Sequence, residues 1–376
     1  MKNLPLHGLR ILDLTRLLPG PLGTMLLADW GAEVIKIEHP DQPDPVRAFP
    51  PYLGGESANY LAFNRNKRSL LLDYTSDEGR ALFLKLIKTA DVVVEQFRPG
   101  FLDKLGLGYA AAQAVNERII YVSVTGYGQT GPYAHRAGHD LNYVGLAGVL
   151  GLTGPADGPP DVPGVQLADI AGGSYLLGMA TLAALFARQQ SGQGQHVDVA
   201  MTDAVMPLLA VPYTQYAATG QVPRRGTLPL SGGLAHYGVY ACAEGGYVAL
   251  GTLEPKFWQR FCENVEKPEW MACMQPENAE DLARFKIEIA ALFATKTRDV
   301  WTAFGQQHDL PLTPVLDLNE LENDPQIQTR GMIQTVGGLK QIAAPLKFSA
   351  SEAPVFRPAP KLGADTEAIL RELAGW

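Results

Sequence analysis

Apolar residues in this chain gather into short, nearly continuous runs separated by stretches of helical spacing. Leu9–Thr15 (LRILDLT) is one such run and predicts a strand buried in a sheet. Pro19-Gly20-Pro21 turns the chain, Leu22–Trp30 carries apolar residues at helical spacing, Gly31 stops it, and Glu33–Glu38 (EVIKIE) is a second strand. Strand, helix and strand in this order form a βαβ unit and predict parallel pairing. The alternation continues with a strand at Ser69–Asp73, a helix from Ser76 to about Lys88, a strand at Asp91–Gln96, a short helix at Ala110–Val115 and a strand at Ile119–Val124. The expected fold class is α/β with a doubly wound, Rossmann-like large domain.

The second half changes character. A long apolar helix is expected at Gly172–Gln190, a short strand at His196–Val199 and a helix at Thr202–Ala218. A polar linker follows at Gly220–Arg225; then Tyr237–Tyr240 and Tyr247–Leu250, joined by Glu244-Gly245-Gly246, read as a hairpin. Helices at Pro255–Asn264, Ala279–Phe293 and Arg298–Gln307 complete a smaller α+β domain, and Asp365–Leu373 is a final helix that returns to cap the first domain. The domain expectation is residues 1–220 for the large domain, 221–325 for the small one and 326–376 for the return.

Composition narrows the possibilities. A formal charge of −8 over 376 residues argues against a nucleic-acid binder, whose footprint is normally basic. Three cysteines, Cys242, Cys262 and Cys273, form no C-x-x-C pair and no zinc spacing with histidine, so reduced structural thiols and no metal site are expected. The first residues lack the apolar stretch of a signal peptide, and the strongest apolar patch, Leu176–Ala187, is shorter than the roughly 20 residues a bilayer demands. These features predict a cytoplasmic protein without a membrane partner.

The chemistry-bearing residues are few. The first turn reads P-G-P-L-G rather than G-x-G-x-x-G, which disfavours a dinucleotide site. Arg65, Lys67, Arg68, Arg98 and Lys104 follow or flank predicted strands, on the edge where doubly wound sheets bind ligands, and His39 ends a strand on that edge. As a group they suit an anion pocket; singly each also fits ordinary solvated charge. His139 stands after Gly138 at a helix start, with Asp140 a candidate cap, and Asp169 lies in LADIAGGS before a Gly-Gly pair. Asp169 either caps a helix or is presented beside the free amides of Gly172 and Gly173, which suit a developing oxyanion. Glu254 precedes Pro255 at a helix start, where capping is the default. His236 follows two glycines and faces a cleft or the hairpin surface, whereas His196 on its short strand is structural.

With these residues in place, the chain resembles the class III CoA-transferase superfamily, which includes the α-methylacyl-CoA racemases. The likeness covers nearly the whole length, through LRILDLTRLLPGPLGTMLLADWGAEVIKIE, NRNKRSLLLD, VVEQFRPG, LGLGY, TGYGQTGPYAHRAGHDLNY, LADIAGGS, GQGQHVDVAM and GTLEPKFW. It implies a large CoA-binding domain made from both chain ends, a small domain between them, and a homodimer interlocked like chain links with each active site built from both subunits. Coenzyme A then enters as part of an acyl-CoA substrate, with no tightly bound cofactor. The family's CoA contacts match Arg65, Arg98, Lys104 and Tyr143, and its essential aspartate matches Asp169.

The superfamily divides on chemistry. Its transferases use the aspartate as a nucleophile that passes through an anhydride and an aspartyl-CoA thioester. Its racemases pair that aspartate with a histidine, matched here by His139, and with a glutamate that orients it, matched by Glu254. In LSGGLAHY the chain departs from the racemase pattern at His236, and Ser231-Gly232-Gly233 is compatible with a short form of the transferases' glycine-rich loop. Removing an α-proton from a thioester and returning it on the other face requires a base and an acid, roles a His and an Asp can exchange. The sequence therefore favours a 2-methylacyl-CoA racemase, with a CoA transferase acting through Asp169 as the alternative and a non-catalytic CoA-binding protein as the third.

Overall fold

The computed structural model describes residues 4–375. Its larger unit is built on six parallel strands: β1 Arg10–Asp13, β2 Glu33–Glu38, β3 Arg68–Leu71, β4 Val92–Glu95, β5 Ile120–Thr125 and β6 Gln195–Ala200. Their order across the sheet is β3-β2-β1-β4-β5-β6, the doubly wound order expected from the alternation of strands and helices. Leu12, Ile35, Leu70 and Val93 are fully buried because helices cover the sheet, and they pack with Phe83 and Leu86 of helix Asp77–Ile87. The last helix, Thr366–Leu373, adds Ile369 and Leu370 to the same core, and its preceding Asp365 accepts the Ser69 amide at 2.9 Å.

The first helix begins at Pro19, earlier than expected, since a proline in the first turn sacrifices no internal hydrogen bond. A Cβ on Gly20 would come within 2.2 Å of Thr15, so this glycine serves close packing of the helix on the end of β1. The long helix also starts earlier: a π-helical turn, Ala168–Tyr175, runs into Leu176–Ser191. The resulting 24-residue helix is long and apolar enough to cross a membrane, which corrects the shorter span read from the sequence. One side is inside, with Leu177, Thr181 and Leu185 buried and Arg188 paired with Asp91 at 2.9 Å. The other exposes Tyr175, Met179, Leu182 and Phe186, a stripe at helical spacing.

The helix expected at Thr202–Ala218 is broken into Met201–Val205, a 3-10 turn Met206–Leu209 and Ala210–Thr219, because Pro207 supplies no amide. The chain passes from one unit to the other at this break. The larger unit comprises the described residues to Val149, Pro163–Leu209 and the chain from Gln326; the smaller comprises Leu150–Val162 and Ala210–Pro325. The sequence reading placed the first boundary at residue 220 and left 150–162 in the large domain. Arg225 is what ties 150–162 to the smaller unit, donating to the carbonyls of Gly151, Pro155 and Gly158.

The smaller unit has three antiparallel strands, Tyr237–Ala241, Tyr247–Gly251 and Leu312–Val315, of which the proline-containing third was not foreseen. Its core is aromatic, around Trp258, Phe261, Phe293 and Trp301. His236 belongs to that core instead of a cleft or surface: it is 3% exposed, lies near Trp258 and approaches Cys273 Sγ at 3.7 Å through Nδ1. Burial pushes the thiols of Cys262 and Cys273 up to about 12 and about 11, which keeps both unreactive.

Candidate active site

β1 and β4 are neighbours whose connections leave in opposite directions, so their C-terminal ends open a crevice at the switch point of the sheet. A cavity of about 360 Å³ occupies it, lined among others by Leu17, Gln96, Arg98, His139, Tyr143 and Asp169. Everything that lines it belongs to the larger unit.

The loop after β1 is held from below. Leu17 adopts a left-handed backbone, φ 65°, which a branched residue avoids unless its surroundings impose it. Its amide donates to Asp44 Oδ1 at 3.0 Å, Asp44 Oδ2 meets Lys36 Nζ at 2.9 Å, and the same ammonium donates to the Thr15 carbonyl at 2.8 Å. Opposite, Gln96 Oε1 accepts the Gly20 amide at 3.2 Å, which leaves the Gln96 NH₂ as a donor on the cavity wall. Nothing in the sequence pattern marked Gln96; its role comes from the pairing of β4 with β1.

His139 is the cap residue of helix Asp140–Leu146, its backbone extended and its amide donating to Asn142 Oδ1 at 3.0 Å. Asp140 therefore does not cap this helix. Its Oδ1 accepts instead the amides of Ala168 and Asp169, at 2.7 and 3.0 Å, and so fastens the turn that carries Asp169 to the helix that carries His139. Tyr143, one turn further, is buried, donates its hydroxyl to the Gly138 carbonyl and sits with its ring centroid 5.1 Å from Tyr127.

Asp169 is the perturbed carboxyl of the cavity. Burial raises its pKa and the Asp140 carboxylate raises it further, while His139 opposes them; the outcome is about 6, well above the usual carboxylate range. It can thus change protonation state near neutrality, and His139 lines the same cavity. Gly172 and Gly173, expected to offer free amides ahead of a helix, lie instead inside the π-helical turn. Both are buried for packing: a Cβ would come 2.9 Å from the Met201 carbonyl at Gly172 and 2.6 Å from Pro19 at Gly173.

The expected cluster of five cations does not form. Arg65 is 2% exposed, with Nη2 2.7 Å from Asp29 and Nη1 3.0 Å from Gln341, both inside the fold. Lys67 is buried against Asp13 at 2.9 Å, and Arg68 pairs with Glu33 and Glu372 at the opposite, N-terminal edge of the sheet. Arg98 remains at the cavity, and Lys104 is exposed at the end of the short helix Phe101–Lys104. His39 bonds Asp73 at 2.9 Å beyond the end of β2, with its ring 5.5 Å from Tyr74. Glu254 caps the start of helix Pro255–Asn264 in the smaller unit by position only, exposed and without a side-chain capping bond.

These placements can be set against known proteins. The family model for CoA-transferase family III matches residues 6–366. The chain belongs to that family. It is 35% identical to acetyl-CoA:oxalate CoA-transferase of Acetobacter aceti, over 98% of this chain and 96% of that one. It is also 36% identical to succinate–glutarate CoA-transferase of Agrobacterium fabrum, with the same two coverages, and 33% identical to human α-methylacyl-CoA racemase, over 98% and 93%. A solved CaiB/BaiF family protein from Brucella suis superposes with a TM-score of 0.86 at 34% identity, covering 99% of this chain and 100% of that one. Family III members of both kinds are enzymes acting on CoA-linked substrates, so the chain is an acyl-CoA racemase or a family III CoA-transferase.

Proposed function

We propose that this family III enzyme racemises or epimerises a 2-methylacyl-CoA by removing the α-proton and returning it on the other face. The observation that carries the reading is that His139 and Asp169 line one cavity, with the Asp169 carboxyl held at about 6, where it exchanges a proton near neutrality. In one direction the carboxylate of Asp169 takes the α-proton and the imidazolium of His139 supplies one; in the other the roles reverse. The Gln96 NH₂ is the donor nearest in kind to what the enolate oxygen requires, in place of the glycine amides. Arg98, Lys104, Tyr143, Arg65 and His39 serve the CoA moiety on this reading, Arg65 through the frame it builds with Asp29.

The assembly proposed is the interlocked homodimer, acting in the cytoplasm without nucleic acid or membrane. The exposed stripe of Tyr175, Met179, Leu182 and Phe186 favours it, since so large an apolar strip on a water-exposed helix calls for a covering surface. Glu254 orients His139 in that dimer.

The second reading, CoA transfer through an aspartyl-CoA thioester on Asp169, is favoured by the transferase relatives at 35% and 36% identity. Incubation with a 2-methylacyl-CoA in D₂O separates the two. Deuterium at the α-carbon without any acceptor acid is the expected result, and its absence across several such substrates would sink the racemase reading. A hydroxylamine-trappable adduct on Asp169, with turnover that depends on a second carboxylic acid, would establish transfer instead.

A further inference from the structure

A second cavity of about 290 Å³ lies against β4, β5 and β6, and the mechanism above makes no use of it. Glu95, the last residue of β4, is 6% exposed on its wall. Its Oε2 accepts the Phe97 amide at 2.7 Å, so the side chain braces the turn that carries Gln96 and Arg98. The Ser123 hydroxyl also donates to this carboxyl, and Ser123 Oγ lies 2.9 Å from His196 Nε2, whose ring stacks on Tyr109 at 5.5 Å. His196 is thus part of a hydrogen-bonded chain on a cavity wall.

Arg98 lines both cavities. Its guanidinium makes no hydrogen bond or ion pair among the described residues, so it is free to serve either side. We propose that Glu95 is a positioning residue for Arg98: uncharged, it leaves the guanidinium to an anionic ligand of the Asp169 cavity, and ionised, it draws the guanidinium into the second cavity. The inference rests on the reading that Arg98 meets the phosphates of coenzyme A.

The surroundings of Glu95 set its charge. Its pKa is raised to about 7: burial is the main cause, the Ser123 and Phe97 donors pull the other way, and the Asp103 carboxylate in helix Phe101–Lys104 and the Asp198 carboxylate on β6 add to the rise. Tyr109, Tyr121 on β5 and His196 on β6 complete the titratable groups facing this space; burial moves Tyr121 up and His196 down, so both of these are neutral near pH 7. Arg98 is the sole cation on the wall of this cavity other than a protonated His196, and therefore the natural partner for an ionised Glu95.

The test is the dissociation constant of coenzyme A itself, by isothermal titration at about pH 6 and about pH 8.5, for the wild type, Glu95→Gln and Arg98→Gln. Glu95→Gln keeps an acceptor for the Phe97 amide and cannot ionise. The expected result is a loss of affinity at the higher pH that is roughly threefold to fivefold greater in the wild type than in Glu95→Gln, the scale of a partly exposed ion pair. Arg98→Gln binds more weakly throughout and matches the shallow pH profile of Glu95→Gln. The ionisation of coenzyme A is common to all three proteins and cancels. Identical pH profiles for wild type and Glu95→Gln would overturn the proposal. So would an Arg98→Gln protein that keeps the wild-type profile, a comparison that stands even if Glu95→Gln fails to fold. No binding of coenzyme A by the wild type at either pH would instead overturn the acyl-CoA reading on which the inference depends.

Discussion

Asp13 and Asp169 are two aspartates of the same unit, both driven upward in pKa by burial, and they end far apart. Asp13, fully buried at the end of β1, accepts from the Thr15 amide and hydroxyl, the Thr24 hydroxyl and Lys67 Nζ. Those donors, with Lys67 and Lys36 as nearby charges, outweigh the burial penalty and hold it at about 2. Asp169 meets a second carboxylate, Asp140, and only one opposing imidazole, and rises to about 6. The lesson is that burial supplies the stress and partner count decides its use: a saturated carboxylate becomes a fastener, while an under-partnered one holds a proton it can exchange near neutrality.

Variants can break that contrast, and the largest effect is on turnover. Asp169→Asn should lower the catalysed rate by about 10³-fold or more, the scale of losing an essential acid or base, while guanidinium denaturation shows no loss of stability. A folded Asp169→Asn protein with full activity in both assays would end both catalytic readings. Lys67→Met exchanges the two outcomes: stability falls by about 3–5 kcal/mol because Asp13 is left as an unpaired buried charge, measurable as a lowered denaturation midpoint.

Smaller effects sharpen the comparison. His139→Ala should reduce α-deuterium incorporation by about 10²–10⁴-fold; if CoA transfer survives at near wild-type rate in that variant while exchange was never present, His139 only lines the pocket. The two aspartates also predict opposite pH trends in stability. Asp13 has a lowered folded pKa, so it adds stability above about pH 4 that is lost as pH falls toward 2, about 2 kcal/mol in all; Asp13→Asn flattens that acid limb. Asp169 has a raised folded pKa, so the protein loses stability as pH rises from about 4 through about 6, and Asp169→Asn removes that slope. Denaturation midpoints taken across the acid range check both signs.

Much of the frame was legible because it rests on local pattern. Buried strands such as Val92–Glu95 and Ile120–Thr125 announce themselves as apolar runs, and Asp169 stood out through its setting between an apolar run and two glycines. What stayed hidden depends on residues distant in sequence. Arg65 and Lys67 look like loop cations until the fold brings Asp29 and Asp13, 36 and 54 residues away, against them. Asp140 looks like a cap until the turn at Ala168 arrives to take its carboxylate. The glycines after Asp169 look like donors until Pro19 and Met201 claim the space a side chain would fill.

The sequence by itself determined the α/β class and the family, and it singled out the aspartate proposed for the chemistry, since periodicity and residue type are carried by the chain directly. Only the tertiary structure decided which charges are spent inside and which remain at the cavity, because desolvation and pairing act through space. It is through that sorting that Asp13 closes the end of β1, Asp169 keeps its raised pKa, and Arg98 is left lining two cavities, one of them shared with Glu95.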